Sequence, residues 1–339
     1  METLVSGPVI LLRLQNKGKV VYLFGDVHYD LHEQYECNID KDSIYIDQLF
    51  KQIFKKNKNV NFYLETSFNL VQHYKNQEYY TSPYIHKLRT LFSKNVNFSK
   101  HKIVPSKKYP NVRFHYFDIR IDSIKYNDLS KYSSKIRIYN IKQEYTTLLN
   151  LFQQSYNDIM NSKYIQKILN RKYDNKKIFK SIFSEIEDMY EYLMDKVKQR
   201  IGEADKIVKK FNHSSLTLPN LDIAKLEDET VTEFNDLHNS IINLFVIIND
   251  TYFLYRLNKS DDSLNYVYSG AYHSLNICFL LLRYFEFDIS HSTTGYEFIK
   301  KTQCDMKQFI EYSKMIENNI NLNLYSQCID INNFPENLQ

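Results

Sequence analysis

Two histidines near opposite ends of the sequence share one setting: His28 closes Gly25-Asp26-Val27-His28, and His273 closes Gly270-Ala271-Tyr272-His273. Each motif follows a short apolar run. A third run, Val60 to Leu64, leads directly into Glu65, and a fourth, Val112 to Phe117, leads into Asp118-Ile119-Arg120. Neutral imidazole and carboxylate are the usual ligands of zinc or manganese, and a further carboxylate can act as base toward a bound water. His28, His273, Glu65 and Asp26 are therefore candidate metal ligands, while Glu65, Asp118 and Arg120 are candidate catalytic groups. Glu65 would be a ligand or the general base. Arg120 would be a fixed cation for a substrate carboxylate, a phosphate or a developing oxyanion. Lacking a Cβ, Gly25 and Gly270 would let the backbone turn sharply out of a strand, which makes them candidate cofactor-binding positions.

Each group also has a plain structural reading. A histidine after a strand is often just a hydrogen-bonded structural residue, and Asp118 with Arg120 could form an ordinary ion pair. His32, four residues after His28, fits a helical face shared with it and equally a surface helix start. The recurrence of the same motif, with an acidic residue on a third strand, favours a site.

The elements that must position these groups read as α/β. Strands are expected at Val9 to Leu14, Val20 to Phe24, Val60 to Leu64 and Val112 to Phe117. Between the second and third, Ile44, Ile46, Leu49, Phe50 and Ile53 recur at helical spacing with Ser43 as N-cap, so a crossover helix and parallel strands follow. A late unit repeats the theme: a strand at Tyr266 to Ser269, the second glycine-histidine motif, a buried helix from Leu275 to Phe285, and a strand at Phe287 to Ile289. Parallel strands bring their carboxyl ends to one edge, where ligand crevices form.

The middle of the chain has helical period alone. Ile182, Ile186, Met189, Leu193, Val197 and Ile201 make one stripe, and a second helix is expected from about Glu229 to Leu257. His213 to Asn220 reads as a linker. The expected fold is thus a single α/β domain over residues 1–339, its mixed, largely parallel sheet flanked by helices. Its core comes from about 1–135 and 228–300, with a helical insertion at 136–227.

Composition bounds the function classes. Hydrophobic residues at 43% and charged residues at 25% suit a packed globular chain. The net charge of +4, from 44 basic and 40 acidic residues, is spread without blocks, which argues against nucleic-acid binding; Lys55 to Lys58 reads as a solvated helix end. The longest apolar run, Leu275 to Phe287, includes Arg283 and Glu286 and falls short of the ~20 residues of a membrane span. Cys37, Cys278, Cys304 and Cys328 lie far apart with no paired spacing, so reduced thiols in an intracellular protein are expected. Abundant Lys, Asn, Ile and Tyr, with 6 Gly and no Trp, point to an AT-rich genome such as that of a large DNA virus.

The two glycine-histidine motifs, GDVH and GAYH, together with the strand-end glutamate of YLET (Glu65), resemble the TraB/Tiki superfamily, a group described as metalloproteases, with which erythromycin esterases and ChaN-like haem-binding lipoproteins are grouped. The likeness covers roughly the first 120 and last 75 residues. It implies a mixed sheet wrapped by helices and places His28, Glu65 and His273 in or beside a divalent-metal hydrolytic centre (Mn, Zn or Co). The expected substrate is a peptide or another small molecule, cleaved at a peptide, ester or related bond. Asp26 stands where many members have Glu, and Asp250 to Arg256 (DTYFLYR) would add an acid and a base. Two other readings compete. Asp26-Val27-His28 also matches the first motif of calcineurin-like metallophosphoesterases, but the GDxxD, GNH and late GHxH motifs of that family are absent. A non-catalytic viral structural or binding protein on the same fold is the other.

Overall fold

The computed structural model describes residues 4–27, 35–37, 43–67, 83–92, 96–97, 102–132, 137–170, 175–217, 220–260, 264–293, 306, 308, 326–335 and 338. It is a mixed α/β protein of two compact units: Met1–Asp118 with Asp250–Gln339, and Ile119–Asn249.

The first unit is built on a hairpin. Strands β2 (Pro8–Asn16) and β3 (Lys19–Asp26) pair antiparallel across a two-residue turn. Lys17 and Gly18 both adopt positive φ there, 44° and 85°, the backbone that suits the right-handed twist of a tight hairpin. Between this hairpin and β6 (Val60–Leu64) sits β10 (Leu264–Gly270), parallel to both β3 and β6. Next comes β9 (Val112–Tyr116), parallel to β6, while β11 (Asp288–Ser292) closes the other side antiparallel to β2. The spatial order is β11-β2-β3-β10-β6-β9. Residues 21–26, 60–64 and 265–270 are buried throughout, which is why these strands read as mainly apolar, with a few buried polar residues, rather than as alternating.

Helix α1 (Ile46–Lys56) covers the sheet, with Ile46, Leu49, Phe50, Ile53 and Phe54 buried. The Phe50 ring lies within 4.7 to 6.5 Å of those of Phe24, Phe54, Phe62, Tyr266 and Tyr268, so one side chain ties the helix to three strands. The helix starts later than its sequence suggests. Residues Ser43–Tyr45 form a short strand, β5, and cap the helix through Tyr45, whose N–H donates to Gln48 Oε1 at 3.2 Å. The pairing of β5 with β1 (Leu4–Ser6) claims Ser43 before it can act as N-cap.

That pairing belongs to a second, small sheet, ordered β4-β12-β1-β5, with β4 at Tyr35–Glu36 and β12 at Ser326–Asp330. Strand β12 runs antiparallel to β1 and parallel to β4. It thereby brings Cys328 to Cys37, 291 positions earlier, and the two form a disulfide. The expectation of reduced thiols is corrected for this pair: distance in sequence is no bar once a terminal strand returns to the start of the chain. Cys278 is free and buried, and burial pushes its thiol well above the usual range. Cys304 lies outside the described residues. Helix α2 (Pro83–Leu91) and the two-stranded β7 (Val96–Asn97) and β8 (Lys102–Ile103) complete the early half of this unit.

The second unit is helical: α3 (Ile124–Ser130), α4 (Ile141–Met160), α5 (Lys163–Asn170), α6 (Lys176–Thr217) and most of α7 (Asn220–Asn258). The stripe Ile182, Ile186, Met189, Leu193 and Val197 is buried, with Tyr190 of α6 stacked on Tyr156 of α4 at 3.8 Å. Phe234 and Phe245 of α7 meet Tyr145 and Phe152 of α4. The expected linker at His213 to Asn220 is mostly helix, since α6 continues to Thr217. No helix among the described residues is long and apolar enough to cross a membrane.

Candidate functional site

At the carboxyl ends of β6 and β10 three buried side chains meet. Glu65 directly follows β6, and its backbone N–H donates to Tyr268 O at 3.0 Å, which extends the parallel ladder by one residue. Beyond β10 the chain turns at Gly270 into α8 (Ala271–Phe285), so His273 sits in the first turn of a helix. Its Nε2 lies 3.0 Å from Glu65 Oε1 and its Nδ1 lies 2.6 Å from Asp250 Oδ1 on α7. Side-chain exposure is 6% for His273, 9% for Glu65 and zero for Asp250, so solvent screens this contact set little. The second Glu65 oxygen, Oε2, accepts the Gly270 N–H at 2.6 Å, and the positive end of α8 favours an anion there.

This geometry constrains the protons. An ionised carboxylate only accepts hydrogen bonds. Either the imidazole donates from both nitrogens as a cation, or it is neutral and one carboxyl carries the proton. In both cases a proton is held between two buried acids and can be exchanged among three groups.

The remaining sequence candidates are placed differently. Asp26, the last residue of β3 and the register partner of Gly270, is buried. Gln327 Nε2 donates to its Oδ1 at 2.9 Å and to Val27 O at 2.5 Å. Burial first, and the neighbouring Asp26 carboxylate second, push the Tyr268 phenol well above its usual range. Gly25 is still inside β3; a Cβ there would lie 2.8 Å from Ala271 Cα and 3.2 Å from Ser274 Oγ. Its glycine is needed because α8 passes so closely, and not for a sharp turn. Gly270 has an ordinary backbone, φ −56° and ψ 149°, and its contribution is the N–H given to Glu65. Asp118, buried, donates its backbone N–H to Thr66 O at 3.3 Å. Arg120 belongs to the second unit, in a short turn of 3-10 helix at Arg120–Asp122, with its guanidinium 5.8 Å from the Tyr126 ring centroid. His28 and His32 lie outside the described residues.

A second polar cluster, not singled out from the sequence, gathers His115 of β9, Asn61 of β6 and Asn265 of β10 with Arg256 and Ser260. His115 Nδ1 lies 3.0 Å from Arg256 Nη2, and its Nε2 lies 3.2 Å from Asn61 Oδ1. Asn61 Nδ2 donates to Ser260 Oγ at 2.5 Å and to Asn265 Oδ1 at 3.1 Å. Because a guanidinium only donates, Nδ1 is the acceptor and Nε2 carries the proton. Burial, then Arg256 and Arg113, bring the His115 pKa down to about 3. The segment DTYFLYR therefore serves two places: Asp250 reaches His273, while Arg256 reaches His115. The polar Asn61 in an otherwise apolar strand was the available signal for this cluster.

Among the described residues no group of three or more His, Cys, Asp or Glu could hold a metal ion. Glu65 and His273 supply two donors and Asp250 a carboxylate behind the ring.

Fold and site together define a mixed α/β protein with a carboxylate-imidazole-carboxylate cluster at its strand ends. The chain belongs to the family of unknown function DUF5847, whose profile matches residues 3–160 and 132–339. It is similar to three proteins of Acanthamoeba polyphaga mimivirus. Uncharacterized protein R706 is 25% identical over 419 residues, covering 99% of this chain and 97% of the relative. Uncharacterized protein R161 is 24% identical over 426 residues, covering 99% and 98%. Uncharacterized protein R129 is 35% identical over 133 residues, covering 34% and 73%. The relatives come from the kind of large DNA virus that the composition suggests. No solved structure matches.

Proposed function

We propose that this protein is a divalent-metal-dependent hydrolase of the TraB/Tiki type, acting on a peptide or ester bond, with Glu65 and His273 as metal ligands. The observation that carries the reading is the 3.0 Å separation of His273 Nε2 and Glu65 Oε1, with Asp250 on the opposite ring nitrogen. Two donors each about 2.1 Å from one ion and at about a right angle stand about 3.0 Å apart. Metal-binding histidines usually give their other ring N–H to a carboxylate, which fixes the tautomer and strengthens the ligand; Asp250 is in that position. The Gly270 N–H donates to Glu65 Oε2, and Oε1 is the oxygen that faces His273 Nε2. The described residues thus fit two ligand positions and their orienting partner. His28, two residues beyond Asp26 in sequence, is the proposed third.

A divalent ion held there would supply a Lewis acid for water activation and carbonyl polarisation. Asp250 would hold the His273 ring in one tautomer. Burial of Glu65, His273 and Asp250 would keep competing bulk water away. Arg120, in the second unit, takes no part in this reading.

The test is metal binding followed by thermal unfolding, with Mn, Zn or Co added to wild type, His273→Ala and Glu65→Gln. Ion at 100 times its dissociation constant stabilises a single site by about 2.7 kcal/mol. Wild type should respond and both variants should not, circular dichroism showing all three folded. No response in wild type, or an equal response in the variants, overturns the metal site and leaves the buried cluster as a device that holds strand ends together in a non-catalytic protein.

A further inference from the structure

The disulfide joins the two ends of the chain at a point that bears on the end of β3. Cys37 directly follows β4, and Cys328 lies within β12. Strand β12 also pairs with β1 over three positions and seats Ile329, with Ile331 just beyond its end, in the core, whereas its hold on β4 is short. Strands β4 and β12 pair over two positions, Ser326 with Tyr35 and Gln327 with Glu36, and β1 has three residues. The Cys37 N–H donates to Ser6 Oγ at 3.2 Å and the Gly7 N–H to Gln327 O at 3.0 Å. Gln327, the neighbour of Cys328, reaches from the small sheet to Asp26 Oδ1 and Val27 O at the end of β3. Asp26 in turn is in register with Gly270, which holds Glu65. The bond that fixes β12 therefore also fixes the residues leading from β3 toward His28.

We infer that Cys37–Cys328 is a redox latch: reduction by a thiol loosens β12 and β4 and, through Gln327, frees the Asp26–Val27 exit of β3. Cys37 is 3% exposed and Cys328 is half-buried, so the attack is assigned to Cys328, the more exposed residue of the two. A thiolate forms a mixed disulfide with Cys328 and expels the Cys37 thiolate. A second thiol releases Cys328 and leaves as the oxidised disulfide of the reductant, and both protein thiolates take protons from water. The latch is independent of whether the site binds metal, because its readout is local opening of the backbone.

The test uses the full chain, prepared without reductant and again in dithiothreitol. Of four cysteines two are bonded, so maleimide labelling in denaturant should add two groups before reduction and four after, with a Cys37–Cys328 cross-linked peptide only before. Hydrogen exchange read by mass spectrometry should then speed up about tenfold or more on reduction in β12 and at the end of β3, with Val60–Leu64 unchanged, since local opening exposes only the released segment. Cys37→Ser with Cys328→Ser should match the reduced protein and ignore dithiothreitol. Four labels without reductant overturn the latch. So does unchanged exchange after reduction, which would make the bond a passive staple. Should the double variant fail to fold, wild type in the two redox states still decides, since the polypeptide is the same.

Discussion

Arg256 points its guanidinium at His115 Nδ1 across 3.0 Å, an arrangement that excludes a proton from that nitrogen. The imidazole is held neutral, with its pKa brought down to about 3 by burial and by the two arginines. The folded pKa lies below that of an unfolded histidine near 6.5, so the unfolded chain binds the extra proton first. The stability this group provides is complete above about pH 6.5 and is lost as pH falls toward 3. The loss should be on the order of 3 kcal/mol, since His115 keeps some contact with solvent. NMR of the ring should show no titration between pH 7 and about pH 4, and His115→Gln should flatten the stability profile over that window. A ring that titrates near 6.5 would refute the assignment.

Asp250 holds His273 from behind, and its replacement separates orientation from ligation. Asp250→Asn should lower stability by about 1 to 3 kcal/mol, the cost of leaving a buried donor badly matched. Metal affinity should fall by about 10- to 100-fold if Asp250 orients a ligand. Denaturant unfolding and metal titration of one preparation check both. Unchanged affinity would remove Asp250 from the site.

Gly25 and Gly202 should respond to alanine with opposite sign. At Gly25 the added carbon meets Ala271 Cα at 2.8 Å, and Gly25→Ala should cost about 1 to 3 kcal/mol through displacement of α8. At Gly202, inside α6, nothing lies within 4 Å, and Gly202→Ala should add about 0.5 to 1 kcal/mol by raising helix propensity. Thermal denaturation of the two variants beside wild type decides the signs.

Ser123 caps α3: its Oγ accepts from the Tyr126 N–H at 3.0 Å and donates to Asp158 Oδ2 at 2.6 Å. Ser123→Ala should cost about 1 kcal/mol, measured by urea unfolding, whereas Ser123→Asp, which can cap but not donate to Asp158, should destabilise by like-charge contact.

The central strands were legible because burial on both faces leaves runs that are apolar but for an isolated residue, as in Val60 to Leu64 with its one Asn61. The placement of Glu65 and His273 was legible for a related reason: Glu65 directly follows such a run and His273 lies three residues past another, and parallel pairing carries both to one edge. Asp250 stood out only as an acid in an apolar helix. Its partner is set by how α7 meets α8, and that has no local signature. The small sheet was invisible because β1, β4 and β5 have two or three residues each, too few for a pattern. The disulfide followed it into obscurity, since nothing near Cys37 marks a strand 291 positions later as its neighbour. Gly25 was noticed for the wrong reason: its value lies in what packs on it, not in its own dihedral freedom.

Strand β10 lies between β3 and β6 yet follows β6 by about two hundred residues. During synthesis both neighbours emerge first and wait with their facing edges bare, and those edges cannot join each other in the final order. The two halves of the sheet are joined only when β10 arrives, so that joining step is a long-range insertion, the slow kind. Until then β3 and β6 offer open hydrogen-bonding edges to any other chain. A product that stops before Leu264 would thus lack the middle of the sheet as well as its β11 margin, and should be recovered as aggregate.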